Sequence, residues 1–294
     1  MSNLSALCLD GLTDIGNRRQ NNEDAWGAGQ LGGEFTLMET GPAPLQADLQ
    51  RGPVLLIVSD GVGGANAGEV ASRMTVTQIA EELTAQAATL RDRATILPAL
   101  RATIEATNLA VTTRAAEPGL DGMGATLSLL LLADDQHAYW GQAGDSRIYL
   151  CRGGRLRQIS HDHSPVGRMR RSGKLTEAEA RSHPLRNQID QSLGDPNAEF
   201  APEIGIEPFQ QDDVFLLCSD GLSDGLWDKE IEEALARVRS PADVRPIVQE
   251  LVGHAKASSG RDNITAVLAL VVSGPAAVPA DPSLVGRLRG WLHL

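Results

Sequence analysis

Two segments of the chain repeat one device. Leu55-Leu56-Ile57-Val58-Ser59-Asp60-Gly61 and Phe215-Leu216-Leu217-Cys218-Ser219-Asp220-Gly221 each run an apolar strand into Ser-Asp-Gly. Such a strand delivers its Asp where the backbone leaves the core, and Gly lets the chain turn tightly beside it. A single Asp-Gly is ordinary hairpin chemistry. Two matched copies, each ending a strand too apolar for a sheet edge, point to carboxylates with a task. More carboxylates stand at element boundaries. Asp262-Asn263 directly precedes the strand-like run 264–270, and Asp121 lies just before Met123-Gly124-Ala125-Thr126. Asp224 follows Asp220 by four, while Glu23 and Asp24 close the run Arg19-Gln20-Asn21-Asn22-Glu23-Asp24. Carboxylates from several strand ends, without Cys or clustered His, suit hard cations such as Mg²⁺ or Mn²⁺. Gathered at the end of facing sheets, they could hold two ions about 3.5–4 Å apart.

Other chemistries fit less well. Gly61-Val62-Gly63-Gly64 follows a strand and precedes a helix, but Asn66 stands where a dinucleotide fingerprint needs its last Gly. Five residues separate Gly167 from Gly173-Lys174 where a phosphate loop needs four, and Leu175 replaces the Ser/Thr. His161 and His163 flank Asp162 without a third ligand at zinc-site spacing. No Ser sits in a Gly-x-Ser-x-Gly elbow.

The elements that must position these groups are legible in outline. Residues 54–60 read as a buried strand, and helices follow from Ala67 to about Ala88 and from Thr95 to Ala116. Strand-like runs at 124–133, 137–143 and 146–151 are joined by Asp134-Asp135 and Gly144-Asp145, links short enough to imply antiparallel neighbours. Residues 164–198, broken by Pro165, Pro184 and Pro196, read as an exposed excursion with one short helix near 176–181. Strands are expected at 203–207, 213–219 and 263–272, and helices at about 228–238 and 241–258. Residues 29–53, rich in Gly, Pro and Gln, read as a surface loop. Paired helices and consecutive antiparallel strands favour a layered α+β fold over a doubly wound parallel sheet.

The 294 residues suit one large mixed domain or two smaller ones. A net charge of −12 argues against general binding to nucleic acid or anionic membrane. Cys8, Cys151 and Cys218, widely spaced and odd in number, argue for a reducing compartment. No apolar run approaches 18 residues and no signal-peptide pattern opens the chain, so a cytoplasmic location is expected. Residues 274–282 read as a Pro/Ala linker. Beyond it, Leu284, Leu288, Trp291 and Leu292 recur at helical spacing, as in a terminal helix docked on its own domain or an anchor for a partner or membrane surface.

In order along the chain, Arg19-Gln20-Asn21-Asn22-Glu23-Asp24, Ser59-Asp60-Gly61-Val62-Gly63-Gly64, Met123-Gly124-Ala125-Thr126, Gly144-Asp145-Ser146-Arg147 and Asp162-His163-Ser164 resemble the motifs of metal-dependent protein phosphatases of the 2C type, in their bacterial form. The resemblance continues through Ala180-Arg181-Ser182-His183-Pro184-Leu185-Arg186-Asn187, Ser219-Asp220-Gly221-Leu222 and Gly260-Arg261-Asp262-Asn263. It implies a four-layer α-β-β-α sandwich, with two packed antiparallel sheets flanked by helices and metals in a cleft at one end. The catalytic domain would span 1–273 with a flap at about 165–195, leaving 274–294 as linker and tail.

The resemblance also implies roles. Asp60 would bridge two Mn²⁺ or Mg²⁺ ions, with the Gly61 carbonyl on the first and Asp220 and Asp262 on the second. Glu23 and Asp24 would hold metal-bound waters, Asn263 would orient its neighbour, and Arg19 would bind the substrate phosphate. Bacterial members often show a third ion, here matched to Asp121, Asp220 and Asp224. The implied reaction is hydrolysis of phosphoserine and phosphothreonine by a metal-bridged hydroxide attacking phosphorus in line. Val62 stands where eukaryotic relatives often carry a His, so the leaving group's proton would come from a metal-bound water or from a His such as His163. Phosphorylated proteins and a cognate Ser/Thr kinase are the implied partners, and a monomer the implied state. The alternatives are a catalytically silent phosphoprotein-binding module and a small-molecule phosphatase on the same fold.

Overall fold

The central strands are apolar at consecutive positions and buried on both faces, so each sheet must be covered on both sides. The computed structural model describes residues 6–38, 40–63, 67–196 and 199–272. The tail expected at 274–294 lies outside the described residues. One sheet contains β1 (Ala6–Asp14), β4 (Leu45–Asp48), β9 (Arg147–Arg152), β10 (Arg155–Gln158), β12 (Val214–Cys218) and β13 (Ile264–Val272), in the order β10-β9-β12-β13-β1-β4. The other contains β2 (Asp24–Gln30), β3 (Phe35–Leu37), β5 (Val54–Val62), β7 (Leu127–Leu132), β8 (His137–Ala143) and β11 (Glu203–Pro208), in the order β11-β8-β7-β5-β2-β3, with the short β6 (Gly124–Ala125) added to β5. Every pairing is antiparallel.

Three hydrophobic layers separate four structural ones. Between the sheets lie Leu7, Leu9, Ile148, Leu150, Phe215, Leu217, Val267 and Ala269 from one side, against Trp26, Ala28, Leu56, Val58, Leu130 and Trp140 from the other. The intervening residues of the same strands face outward. Cys8, Tyr149, Leu216, Leu268 and their neighbours pack beneath α5 (Asp220–Gly225), α6 (Asp228–Leu235) and α7 (Pro241–Ser258). Leu55, Ile57, Leu129 and Tyr139 pack beneath α1 (Ala67–Gln86) and α2 (Arg93–Ala115). This is the expected α-β-β-α sandwich. Among the described residues, no helix is long and apolar enough to cross a membrane.

Three expectations need correction. Residues 29–53 contain the edge strands β3 and β4, and Ala47 and Leu49 enter the core between the sheets. Strands of three and four residues amid Gly and Pro show too little alternation to be read. Second, β8 and β9 are not hairpin neighbours: Gly144-Asp145-Ser146 carries the chain from one sheet to the other, with Gly144 at φ 99°. A two-residue link cannot reveal which sheet receives the next strand. Third, the excursion after residue 164 begins with a helix, α3 (Pro165–Arg171), before the expected one, α4 (Glu177–Ser182). Ser164 caps α3 by accepting from Gly167 N at 3.0 Å, and Pro165 supplies a preset first helical residue. At α4 a capping box joins Thr176 and Glu179.

Candidate active site

At one end of the sandwich the layer between the sheets changes from apolar to polar. The side chains facing inward there are Thr13 on β1, Asp24 on β2, Asp60 on β5, Ser219 beyond β12 and Thr265 on β13. Asp24 and Asp60 are direct cross-strand partners. Asp24 is buried, and its Oδ2 accepts from Ser219 Oγ at 2.7 Å and Thr265 Oγ1 at 2.6 Å. Its Oδ1 and the Oδ1 of Asp220 are buried without a hydrogen-bond partner.

Thr126 fixes Asp60 from both sides: Asp60 N donates to Thr126 Oγ1 at 2.9 Å, and Thr126 N donates to the Asp60 carbonyl at 2.8 Å. The repeated Ser-Asp-Gly device holds, with a different reason for its glycine. Neither Gly61 nor Gly221 adopts positive φ. A Cβ on Gly61 would lie 2.1 Å from the Gly68 carbonyl oxygen, and one on Gly221 would lie 1.9 Å from that of Asn263. Close backbone approach, rather than a tight turn, demands both glycines. The devices then diverge, since β5 continues through Val62 while Asp220 opens α5.

Arg19 lies on the loop between β1 and β2, with Nη2 2.6 Å from Asp262 Oδ2 and Nη1 3.8 Å from Glu23 Oε2. Asn263 holds that loop: its Nδ2 donates to the carbonyls of Ile15 and Asn21, and its Oδ1 accepts from Glu23 N at 2.8 Å. Asn263 also donates its own N–H to Asp262 Oδ1 at 2.9 Å.

The carboxylates raise one another's pKa. Asp60 is pushed well above the usual range, first by burial and then by Asp24, Asp220, Asp145 and Asp262. Asp220 is pushed up by burial and then by Asp145, Asp224, Asp262 and Asp24. Burial lifts Asp24 to about 6 against the bonds from Thr265 and Ser219, and also raises Glu23.

Asp145 is the site residue that sequence reasoning missed. It sits on the crossover between the sheets, is lifted to about 7 by burial and then by Asp162, and lines a cleft with Asp220 and Asp224. Its motif was visible in the sequence, but its role depended on the crossover. Asp121 stands exposed in the turn after α2 and is not one of the charges acting most on Asp220. The other cleft residues include Arg147, Asp162, Ser164, Arg170, Arg181 and Arg186. His163 does not line this cleft. Its Nε2 is turned to Glu203 Oε2 at 3.7 Å, and His161 Nδ1 lies 2.6 Å from Glu203 Oε1.

The donor set fits hard cations. It is all oxygen, includes two buried carboxylate oxygens without hydrogen-bond partners, and carries mutual repulsion that a cation would relieve. Among the described residues, no three Asp, Glu, His or Cys side chains close around a single point as they stand.

Layering of this kind, with acidic strand ends gathered at one edge, gives an α+β sandwich that ends in a carboxylate-rich cleft. The family model for Protein phosphatase 2C matches residues 45–269, and the chain belongs to that family. The serine/threonine phosphatase stp of Listeria monocytogenes is 33% identical over 257 residues, covering 87% of this chain and 92% of that protein. The structure of the S. agalactiae serine/threonine phosphatase matches with a TM-score of 0.75 at 30% identity, covering 90% of this chain and 99% of that one. The catalytic domain of the serine threonine protein phosphatase PstP, in complex with 2 manganese ions, matches with a TM-score of 0.71 at 31% identity, over 91% and 99%.

Proposed function

We propose that this chain hydrolyses phosphoserine and phosphothreonine in proteins, with two Mn²⁺ or Mg²⁺ ions held by Asp60, the Gly61 carbonyl, Asp220 and Asp262. The observation carrying this reading is the pair of buried oxygens without hydrogen-bond partners, Asp24 Oδ1 and Asp220 Oδ1, at the meeting of four strand ends. Bound divalent cations supply an acidified water and positive charge against the phosphoryl oxygens.

The chain's own residues do the rest. Glu23 and Asp24 accept hydrogen bonds from water in the site, and their raised pKa values suit them to hold a proton near its entry. The planar fork of Arg19 binds the phosphate, exchanging Asp262 for substrate oxygens. Ser219 and Thr265 keep Asp24 oriented, and Thr126 keeps Asp60 oriented. The orientation of His163 toward Glu203 argues against it as the acid for the leaving alkoxide. For a third ion, the neighbours of Asp220 favour Asp145 and Asp224 over Asp121. The domain is proposed to span 1–273 with its flap at about 165–195. Its partners would be phosphoproteins and the kinase that modifies them, with the chain acting as a monomer in the cytoplasm.

The test strips the protein with chelator and measures phosphate release from a phosphothreonine peptide and from a small phosphate ester, with and without Mn²⁺. Peptide hydrolysis only with metal, abolished in Asp60→Asn, is the expected result. Release unaffected by either chelator or Asp60→Asn would overturn the metal assignment. Turnover of the small ester alone would redirect the substrate to small molecules.

A further inference from the structure

Toward the end of the sandwich opposite the acidic cleft, α2 and the edge strand β11 border a groove of about 850 Å³. Leu97 and Pro98 line it from α2, Ile204, Ile206 and Pro208 from β11, and Tyr139 from β8. Leu97, Ile204 and Ile206 are only half-buried, and Pro98 and Pro208 are exposed. Among the described residues, β11 pairs with β8 along one side and with no strand along the other. An open edge strand carrying apolar side chains is a template for unwanted pairing, and proteins manage such edges by covering them with a helix or loop. The groove is therefore a surface in want of a cover.

Strand β13 delivers the chain to the same end. The Val271 carbonyl accepts from Asp212 N at 3.0 Å, and Phe209 N donates to the Gln136 carbonyl at 3.0 Å, in the turn whose Asp135 and His137 line the groove. Three residues separate Asp212 from Phe209, about 11 Å at full extension. Residues 273–283 then span up to about 36 Å before Leu284, ample to reach the groove. The chemistry also matches. Leu284, Leu288, Trp291 and Leu292 recur at helical spacing with Arg287 and Arg289 among them, and no acidic residue follows Asp281. Asp135 lines the groove, with Asp134 and Asp212 exposed on the turns beside it, so the rim nearest β13 is acidic. Arg93 and Arg101 stand on the α2 wall, which leaves the complementary charge toward those turns.

We propose that residues 284–292 dock into the α2–β11 groove of their own chain, covering the open edge of β11. The apolar stripe faces Leu97, Ile204 and Ile206, and Arg287 and Arg289 face Asp134, Asp135 and Asp212. The linker holds the tail at high effective concentration, so a modest apolar contact suffices to keep it in place. The docking is independent of the metal site, which lies at the other end of the sheets.

Two readouts test this on the full chain without reference to turnover. Hydrogen exchange of the β11 amides reports cover over the groove, and tryptic cleavage after Arg287 and Arg289 reports access to the tail. Leu288→Asp and Trp291→Asp, which leave every groove residue unchanged, should each speed exchange in β11 tenfold or more. From the other side, Leu97→Asp should speed cleavage of the tail tenfold or more. Should Leu97→Asp fail to fold, Pro98→Glu makes the same test from an exposed position. Asp134→Lys should speed the cleavage by a smaller factor, and Leu109→Ser, at an exposed position of α2 that does not line the groove, should change neither readout. Exchange and cleavage that stay at wild-type rates in every tail and groove variant would overturn the docking. Protection that vanishes on dilution, in a protein of dimeric mass, would give the groove to a second copy and overturn the assignment to the chain's own tail. A tail shielded from trypsin only when anionic vesicles are added would overturn it as well.

Discussion

Asp24 and Asp60 stand directly opposite each other on β2 and β5, facing the gap between the two sheets. Like charges in that relation repel, and burial removes the water that would screen them. The fold tolerates this because Ser219 and Thr265 each donate to Asp24, while both sides of the Asp60 peptide are held by Thr126. The pair is therefore under electrostatic stress that a proton or a cation relieves. That is the arrangement expected of a binding site rather than of a core optimised for stability alone.

Asp24→Asn should separate stability from function. Its amide oxygen can still accept from Ser219 and Thr265, while one of the two opposed charges disappears. The metal-free protein at pH 8 should melt higher, by about 2–4 °C for each kcal/mol of repulsion removed. Phosphate release should fall by on the order of 10²-fold, the lower range for loss of a proton-handling group. Thermal scans and initial rates on one preparation check both halves, and a variant that melts lower while keeping its rate would contradict this account.

The pH dependence has a definite sign. Asp24 and Asp145 move from the ordinary value of 3.8 up to about 6 and about 7 in the folded protein. A raised carboxylate binds more protons folded than unfolded, so its contribution to stability is full below pH 4 and is lost as pH rises through its folded value. The metal-free protein should thus lose stability from these groups between about pH 4 and pH 7. Millimolar Mn²⁺ should restore it at pH 7–8 and do little at pH 5, where protons already occupy the site. Melting curves across that range, with and without Mn²⁺, measure the crossing; a Mn²⁺ stabilisation larger at pH 5 than at pH 8 would refute it.

Asp145 and Asp121 offer a direct contrast. Asp145 is the foremost charge acting on Asp220, and Asp121 is exposed on a turn. Asp145→Asn should raise the Mn²⁺ concentration needed for half-maximal rate by about tenfold, the loss expected from roughly 1.4 kcal/mol of cation attraction. Asp121→Asn should stay within about twofold. Rate against Mn²⁺ concentration for the two variants decides between them, and the reverse order would return Asp121 to the third position.

Much of this was readable in the sequence because buried strands announce themselves. The runs 54–60 and 215–221 read as interior strands because successive residues are apolar, and each is followed by its Asp at the end of the core. The layered class followed from paired helices and antiparallel runs. What escaped depended on three-dimensional assignment. The link Gly144-Asp145-Ser146 looks like a hairpin turn, and only the packing of two sheets shows it to be a crossover that brings Asp145 to the acidic end. The roles of Gly61 and Gly221 are hidden in the sequence for the same reason, because a close approach between distant backbones leaves no local trace. The start of α3 is a different case: Ser164-Pro165 carries the same signal as Ser240-Pro241 before α7, and polarity masked it.

Asn263 ties the site's two halves together, and its loss should be costly twice over. The side chain is buried and bonds the carbonyls of Ile15 and Asn21 and the N–H of Glu23, closing the Arg19 loop against the start of β13. Asn263→Ala leaves three polar groups to find water or go unmet, at about 1–3 kcal/mol each where they stay buried. Melting should fall by about 6 °C or more, taking roughly 3 kcal/mol at 2 °C each. The loosened loop should also raise the KM for phosphopeptide, because Arg19 is carried on it. Asn263→Asp sharpens the test. It keeps the acceptor for Glu23 N, loses both donors and adds a charge beside Asp262 and Asp24, so its deficit should be larger at pH 8 than at pH 5. A variant with Asp there that melts like the wild type at pH 8 would mean that the amide does not hold the loop, and the positioning of Arg19 would need another cause.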